Sequence, residues 1–222
     1  MATVAIIGAD GSGKSTVCRA LIRNSQLPLK YVYMGVNLDA GSVMLPTTRL
    51  IRWLKRRHSP SAVSRASGPA QRLDPPSRSL RRELKSLLRT GHWLTEEWCR
   101  QLSAWVYELR GYIVIFDRHF YADYFFYDVA PKARSRLWGS RIHGFMLERL
   151  YPKPDLFILL SAPPEILFAR KKEDSVEFLR ERQAQYLRLK DRVGRFEIVD
   201  ATRPQDAVIE EVETLIRRLV EV

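Results

Sequence analysis

The chemically most distinctive part of the chain is a glycine-rich segment that ends in a lysine and two hydroxyl residues. It follows the apolar run from Val4 to Ile7 and opens a stretch with helical composition. Glycines let the backbone fold tightly enough for its N–H groups to surround phosphate oxygens, and the positive end of the following helix dipole strengthens that attraction. The predicted phosphate loop contains Gly8, Asp10, Gly11, Ser12, Gly13, Lys14, Ser15 and Thr16.

Two residues of this loop have specific expected roles. Lys14 is expected to neutralise the outer phosphates of a nucleotide, and the Ser15 hydroxyl to bind Mg²⁺. A glycine turn without a ligand is the competing explanation, but it accounts neither for the Lys-Ser-Thr ending nor for the strand in front of it. The sequence therefore predicts a nucleotide-binding site.

Length and composition limit the class of protein. A chain of 222 residues with 45% hydrophobic content can bury one substantial core and is short for two, so we expect a single domain over residues 1–222. Cys18 and Cys99 are too few for a disulfide framework, which fits a reducing cytosol. No apolar run approaches the ~20 residues of a spanning helix, and no signal peptide is expected before Val4. These features predict a cytoplasmic protein without a transmembrane segment.

Positive charge is concentrated in one part of the chain. Most of the net charge of +12 lies between Arg49 and Arg89, where twelve Lys or Arg residues stand against Asp74 and Glu83. Such a segment attracts polyanions or acidic substrates, although a solvated surface segment is the plainer explanation. Nucleic-acid binding through residues 49–89 is therefore a disfavoured alternative.

Five short apolar runs alternate with helical patterns, which is typical of strands buried on both faces of a parallel sheet. We predict a doubly wound, five-stranded parallel α/β sheet flanked by helices, with a basic helical or loop insertion at residues 40–90. Ligands of such sheets gather at the carboxyl ends of the strands. The predicted strands are Val4 to Ile7, Lys30 to Tyr33, Tyr112 to Phe116, Leu156 to Leu160 and Phe196 to Val199.

One predicted helix has a clear apolar periodicity. Between Thr95 and Leu109 the 3.6-residue spacing predicts a helix that packs on the sheet. By contrast, residues 59–79 are rich in Ser, Pro, Ala and Arg, which predicts a long loop. The helix face expected to enter the core contains Trp98, Leu102, Trp105, Val106 and Leu109.

A second chemical group follows the third predicted strand. A carboxylate such as Asp117, beside a phosphate loop in a parallel sheet, can hold Mg²⁺ directly or through water. Arg118 next to it offers a planar donor fork that suits phosphate. A local ion pair or a helix cap is the alternative, but the phosphate loop earlier in the chain favours the functional interpretation.

Two further candidate segments follow the last two predicted strands. Basic residues around Arg170 lie between two predicted helices, where they could close over a triphosphate and stabilise the transferring phosphoryl group. We assign this lid to residues 168–182, with solvated helix ends as the alternative. Ala201 and Thr202 are small enough for an adenine ring to lie against the backbone, although ordinary helix-start chemistry also explains them.

Taken in order, these segments resemble the thymidylate kinase branch of the P-loop kinases. The resemblance implies an ATP-dependent phosphotransferase that uses Mg²⁺, with Asp10 facing the phosphate acceptor. It assigns Leu156 to Glu165 to the family's strand and Pro-Pro-Glu element, and Asp200 to Pro204 to its adenine loop. Ser15 and Asp117 are the predicted metal-binding residues. The predicted catalytic residues are Lys14, Arg118, Asp117, Asp10 and Arg170.

The acceptor side of the chain departs from that family pattern. Members of the family follow their second strand with Arg-x-Pro-Gly, whose arginine holds the acceptor phosphate, whereas residues 33–37 here are Tyr-Met-Gly-Val-Asn. The Arg and Gln with which the family recognises the base are replaced by Glu-Glu-Trp-Cys at residues 96–99. The resemblance therefore supports the donor side more strongly than it supports thymidylate as the acceptor.

The identity of the acceptor stays open between two classes. Arg118 and the basic segment favour a nucleoside monophosphate or a similar anionic acceptor, which is already ionised and needs no general base. An alcohol acceptor, such as a sugar, nucleoside or glycan precursor, would benefit from a carboxylate base, for which Asp10, Asp39 and Asp123 are candidates. Aromatic residues at 119–127 offer surface for stacking a base or sugar. A nucleotide-dependent polyanion-binding module is the third alternative, and homodimerisation is left open.

Overall fold

The computed structural model describes residues 2–35, 80–124 and 138–221. Within these ranges the chain forms one five-stranded sheet with the order β2-β3-β1-β4-β5, and every neighbouring pair is parallel. The predicted sheet is therefore confirmed. The strands are β1 (Thr3–Ile7), β2 (Leu29–Tyr33), β3 (Ile113–Asp117), β4 (Leu156–Ser161) and β5 (Phe196–Asp200).

Seven α-helices connect and flank these strands in the described ranges. None of these helices is long and apolar enough to cross a membrane. The helices are α1 (Lys14–Asn24), α2 (Leu80–Leu109), α3 (Phe120–Tyr124), α4 (Trp138–Arg149), α5 (Pro164–Arg170), α6 (Val176–Leu187) and α7 (Gln205–Val220).

The central strand β1 shows why the sheet is covered on both faces. All five of its residues are buried, and successive side chains of a strand point to opposite faces. Val4 and Ile6 pack in a cluster with α1 and α7, whereas Ala5 and Ile7 pack in a second cluster with residues of α2, α3, α4 and α6. Two apolar layers therefore enclose the sheet, as a doubly wound architecture requires.

The carboxyl ends of three strands are joined at the edge where ligands of such sheets bind. Asp117, the last residue of β3, is in register with Ile6 of β1 and with Tyr33 of β2. The pairing continues past the strands, because the Met34 N–H donates to the Asp117 carbonyl at 3.1 Å and the Arg118 N–H to the Ile6 carbonyl at 3.1 Å. This edge therefore brings the ends of β1, β2 and β3 into one site.

Helix α2 differs from its prediction in the face that it buries. The helix predicted from Thr95 is present but begins at Leu80. Trp98 is partly buried, with its ring 5.1 Å from that of Tyr151. The other residues of the predicted core face are exposed, namely Leu102, Trp105, Val106 and Leu109. The buried positions in this half of the helix are mostly polar, namely Glu96, Glu97, Arg100, Gln101 and Ala104.

Tertiary partners explain why the apolar periodicity gave the wrong face of α2. Both carboxylate oxygens of Glu97 lie within 3.2 Å of His143 Nε2, on the neighbouring helix α4. Arg100 donates to the carbonyl of Gly35, just beyond β2. Buried charges persist only where such partners exist, and these partners are remote in sequence.

Several predictions fall on residues outside the described ranges. These are the long loop at residues 59–79, the candidate base Asp39 and most of the basic insertion at residues 40–90. The end of that predicted insertion is described, and residues 80–90 form the first turns of α2. Residues 80–90 of the predicted insertion are therefore helical.

Candidate active site

Backbone geometry adapts the segment between β1 and α1 to an anion. Gly8, Gly11 and Gly13 have φ angles of 150°, 86° and 86°, a region that side-chain-bearing residues rarely adopt. A Cβ on Gly11 would lie 2.6 Å from the carbonyl oxygen of Leu167 in α5, so glycine is also required sterically. Gly13 caps α1, which begins at Lys14. The predicted phosphate loop is thus a tight turn that leads into a helix N-terminus.

Lys14 lies inside this loop rather than in solvent. Its Nζ donates to the carbonyl of Ala9 at 2.8 Å and to Ser12 Oγ at 3.4 Å, and lies 4.0 Å from Asp10 Oδ1. Burial lowers the pKa of Lys14 to about 8, while the charge of Asp10 opposes that shift. The ammonium is therefore held by weak acceptors of its own loop, which the oxygens of a phosphate can replace.

Arg118 connects the end of β3 to the phosphate loop. Its φ of 68° is left-handed, which is uncommon for a residue other than glycine and typical of strain at functional sites. Its guanidinium donates to Asp10 Oδ1, and its side chain is 26% exposed. Burial opposes the charge of Arg118, but Asp123 and Asp10 outweigh burial and raise its pKa. Arg118 is therefore a permanent, accessible cation beside the loop.

The ion pair with Arg118 also keeps Asp10 ionised. Burial alone would raise the pKa of Asp10, but the charges of Arg118, Lys14 and Lys171 outweigh burial and lower it to about 2. Because a catalytic base works best with a pKa near the working pH, this carboxylate is a weak base. Asp10 instead orients the guanidinium of Arg118.

Asp117, predicted to bind metal, is fully buried at the end of β3. The hydroxyl of Tyr31 on β2 donates to its Oδ2 at 2.9 Å, and its Oδ1 accepts no hydrogen bond from any described residue. No group of three or more His, Cys, Asp or Glu residues suited to a metal ion occurs among the described residues. A metal here would therefore need oxygens from water and nucleotide, as Mg²⁺ commonly uses.

Asp123 lies outside the predicted catalytic set, although the sequence named it as a candidate base for an alcohol acceptor. It lies on α3, and its Oδ1 accepts hydrogen bonds from Arg182 Nη2 and the Tyr186 hydroxyl, both at 2.9 Å. Its Oδ2 has no hydrogen-bond partner in the described part of the chain. Arg182 and Tyr186 are four residues apart and so face the same side of α6. That spacing was the only sequence signal for this contact.

Arg170, which is predicted to be catalytic, contacts the loop after β5. Its Nη1 donates to the carbonyl of Ala201 at 2.9 Å, in the loop predicted to receive adenine. In the same loop, Asp200 Oδ1 accepts from the backbone N–H and the hydroxyl of Thr202. The neighbouring Lys171 is the lid cation whose charge lowers the pKa of Asp10. The structure therefore joins Arg170 to Ala201 and brings Lys171 towards the Asp10–Arg118 pair.

The aromatic segment predicted to stack a base or sugar is core where it is described. Phe120, Tyr121 and Tyr124 are buried in the cluster that covers one face of the sheet. His119 is buried as well, and burial lowers its pKa to about 3, so the ring is neutral. The remaining aromatic residues, at 125–127, lie outside the described ranges.

Comparison with known proteins decides the family. No family model matches the chain. A protein of Pyrobaculum aerophilum named "Probable thymidylate kinase" is 30% identical over 228 aligned positions, which cover 99% of this chain and 98% of that protein. This chain belongs to the thymidylate kinase family. A protein of Archaeoglobus fulgidus with the same name is 33% identical over 113 positions, covering 48% of this chain and 54% of that protein.

Membership of the thymidylate kinase family makes this protein a nucleotide kinase and hence a phosphotransferase. The predicted family, fold class and enzyme class are confirmed. In this protein the glycine loop and Lys14 lie at the same edge of the sheet as Asp117 and Arg118. A nucleotide-dependent binding module without catalysis is accordingly disfavoured.

Proposed function

We propose that this kinase transfers the γ-phosphate of magnesium-bound ATP to a nucleoside monophosphate or a similar anionic acceptor. The observation that carries the proposal is the ion pair between Arg118 and Asp10. It attaches an accessible guanidinium, which binds phosphate in a planar fork, directly to the phosphate loop. An acceptor phosphate bound by Arg118 would face a γ-phosphate bound by the loop.

The donor side, residues 8–16 with 200–204, has groups that fit each part of magnesium-bound ATP. Backbone N–H groups of the loop and the ammonium of Lys14 would hold the phosphates. Ser15 and Asp117 Oδ1, which has no partner within the described ranges, would hold Mg²⁺ or its water ligands. Ala201 and Thr202 would receive the adenine. Bound Mg²⁺ would neutralise charge on the β- and γ-phosphates during transfer.

The low basicity of Asp10 favours an acceptor that is already ionised. Phosphoryl transfer to a phosphate needs cations that orient two anions, and no proton has to be removed from the attacking oxygen. Arg118 supplies a cation whose pKa is raised, so it stays charged at every working pH. Asp10, with a pKa of about 2, would contribute as the orienting partner of Arg118 rather than as a base.

A kinase of an alcohol acceptor is the second candidate, and Asp123 is the observation in its favour. Its Oδ2 has no hydrogen-bond partner among the described residues. Because Asp123 is 2% exposed, an acceptor hydroxyl would have to displace neighbouring side chains before this oxygen could take its proton. In that case Asp123, and not Asp10, would be the general base.

A substrate panel separates these candidates. Release of ADP would be measured with magnesium and ATP against dTMP, the other nucleoside monophosphates, nucleosides and sugars. The proposal expects turnover of at least one monophosphate, and a large loss of that turnover in Arg118→Met. Arg217→Met, which removes an exposed arginine of α7, is the matched control and should keep full activity. Turnover confined to alcohols would replace the proposal with the second candidate. Calorimetry that detects no ATP binding would overturn both.

A further inference from the structure

Arg100 is an unusual buried residue on the acceptor side, by which we mean the ends of β2 and β3 together with α2 and α3. Its side chain is 2% exposed. Its Nη1 donates at 2.9 Å to the carbonyl of Gly35, the second residue beyond β2. A guanidinium on α2 therefore holds the backbone where the chain leaves the sheet.

Gly35 is in turn packed against Arg118, the arginine proposed to bind the acceptor phosphate. A Cβ at Gly35 would lie 2.6 Å from Cδ of Arg118 and 2.4 Å from the hydroxyl oxygen of Tyr33. There is no room for any side chain, so the Gly35 backbone forms a wall beside Arg118. Both arginines thus contact Gly35. Arg100 binds its carbonyl oxygen, and the side chain of Arg118 packs against its α-carbon.

The remaining contacts of Arg100 include a buried ion pair with Glu96. Its Nε and Nη2 donate to no described residue, and the carboxylate of Glu96 lies 3.6 Å from Nη2. Its guanidinium lies 5.8 Å from the ring of Phe120, two residues after Arg118. A buried charge with unmet donors is less stable than an apolar side chain of similar volume. An apolar residue could supply neither contact, but Glu96 lies on the same helix, whereas the Gly35 contact links Arg100 to the end of β2.

We propose that Arg100 is a positioning residue for the phosphate acceptor. By fixing the Gly35 carbonyl it holds the wall against which the Arg118 side chain rests, so that the guanidinium stays on Asp10 and faces the acceptor phosphate. This inference rests on the proposed function, because it assigns Arg100 to the acceptor and not to ATP. It also gives this chain an acceptor-side arginine that reaches the end of β2 from a helix.

The first test is the kinetics of Arg100→Met, Arg100→Lys and Gly35→Ala. With dTMP, or the monophosphate that the wild type turns over fastest, Arg100→Met should raise the acceptor KM by about tenfold to 100-fold, the range that small misplacements of binding groups produce. The KM for ATP should stay within about twofold. Arg100→Lys keeps a donor for the Gly35 carbonyl and should recover part of the loss. Gly35→Ala should imitate Arg100→Met, and the double variant should be no worse than either single one.

A matched control separates positioning from general destabilisation. Gln101 is buried beside Arg100 on the same helix. Gln101→Leu should change the thermal midpoint without changing the acceptor KM. The positioning role is wrong if Arg100→Met raises the KM for the acceptor and the KM for ATP equally. It is also wrong if the variant stays folded and neither KM changes.

A crystal structure of Arg100→Met tests the inference independently of the acceptor. We expect displacement of Gly35 and loss of the ion pair between Arg118 and Asp10. An unchanged ion pair would overturn the inference even if the proposed function holds. Conversely, a wild type that phosphorylates no monophosphate would refute the proposed function, and the structure of the variant would still decide whether Arg100 positions Arg118.

Discussion

The donor side and the acceptor side of this kinase are held together by different kinds of contact. On the donor side, Lys14 bonds to groups five and two residues away, and the three positive-φ glycines belong to one short loop. On the acceptor side, Glu97 pairs with His143 and Asp123 with Tyr186, across 46 and 63 residues. The phosphate loop of the donor side is thus a local structure, whereas the acceptor side depends on packing of separate helices.

This difference predicts that the two sides respond differently to single substitutions. The contacts of the phosphate loop depend on backbone conformation, which any fold with this strand and helix can support. The acceptor side contains buried ion pairs, in which removing one partner leaves a charge in the interior. Single substitutions on the acceptor side are therefore expected to destabilise the fold more than single substitutions in the donor loop.

The largest expected effect tests the donor side alone. Lys14→Met should lower kcat by about 100-fold or more, because one group that stabilises transition-state charge is lost. The free energy of unfolding should not fall, since burying the ammonium opposes its charged form. ADP release and thermal unfolding measure the two quantities, with the exposed Lys190→Met as control. Near-wild-type turnover in Lys14→Met would contradict the role of the loop.

The next effect tests whether the acceptor side depends on long-range pairing. Tyr186→Phe removes the hydroxyl that donates to Asp123, and hydrogen bonds to charged groups contribute about 1.5–3 kcal/mol. We expect a loss of that size in denaturant unfolding. Tyr112→Phe, at the half-buried residue before β3, is the control and should change stability less. Equal losses of unfolding free energy in both variants would contradict the dependence of the acceptor side on long-range contacts.

A smaller effect follows from the pKa of Lys14. Because that pKa is about 8 and the protonated form binds phosphate, ATP affinity should be constant below pH 8. Above pH 8 the free protein loses the ammonium proton, so affinity should fall by up to about tenfold per pH unit. Calorimetric titrations from pH 7 to 10 measure this. In Lys14→Arg, whose side chain stays charged, the decline should disappear, and a decline of the same size there would assign it to another group.

The smallest effect concerns the exposed half of α2. Leu109 is 76% exposed, so Leu109→Gln should change the free energy of unfolding by less than about 0.5 kcal/mol. Ala104→Gln, on the buried side of the same helix, should be much more destabilising because it overpacks the core. Chemical denaturation of both variants measures the difference. A large loss of unfolding free energy in Leu109→Gln would show instead that α2 buries the face that the periodicity predicted.

Prediction from sequence succeeded where the determining interactions are local. The five strands were found to within one residue at each end, because continuous apolar runs between turns are typical of buried parallel strands. The phosphate loop, Lys14 and Arg118 were found because their residue types and spacing are tied to backbone geometry. The donor and acceptor roles of these residues remain predictions that the variants above test.

The face of α2 and the position of Arg170 required the tertiary structure. Apolar periodicity describes how residues are arranged around one helix, but burial depends on what lies against it. The sequence by itself determined the sheet and the phosphate loop, since both follow from neighbouring residues. Only the folded chain brings Arg100 to Gly35 and Arg170 to Ala201, because a buried charge is stable only beside partners that distant segments supply.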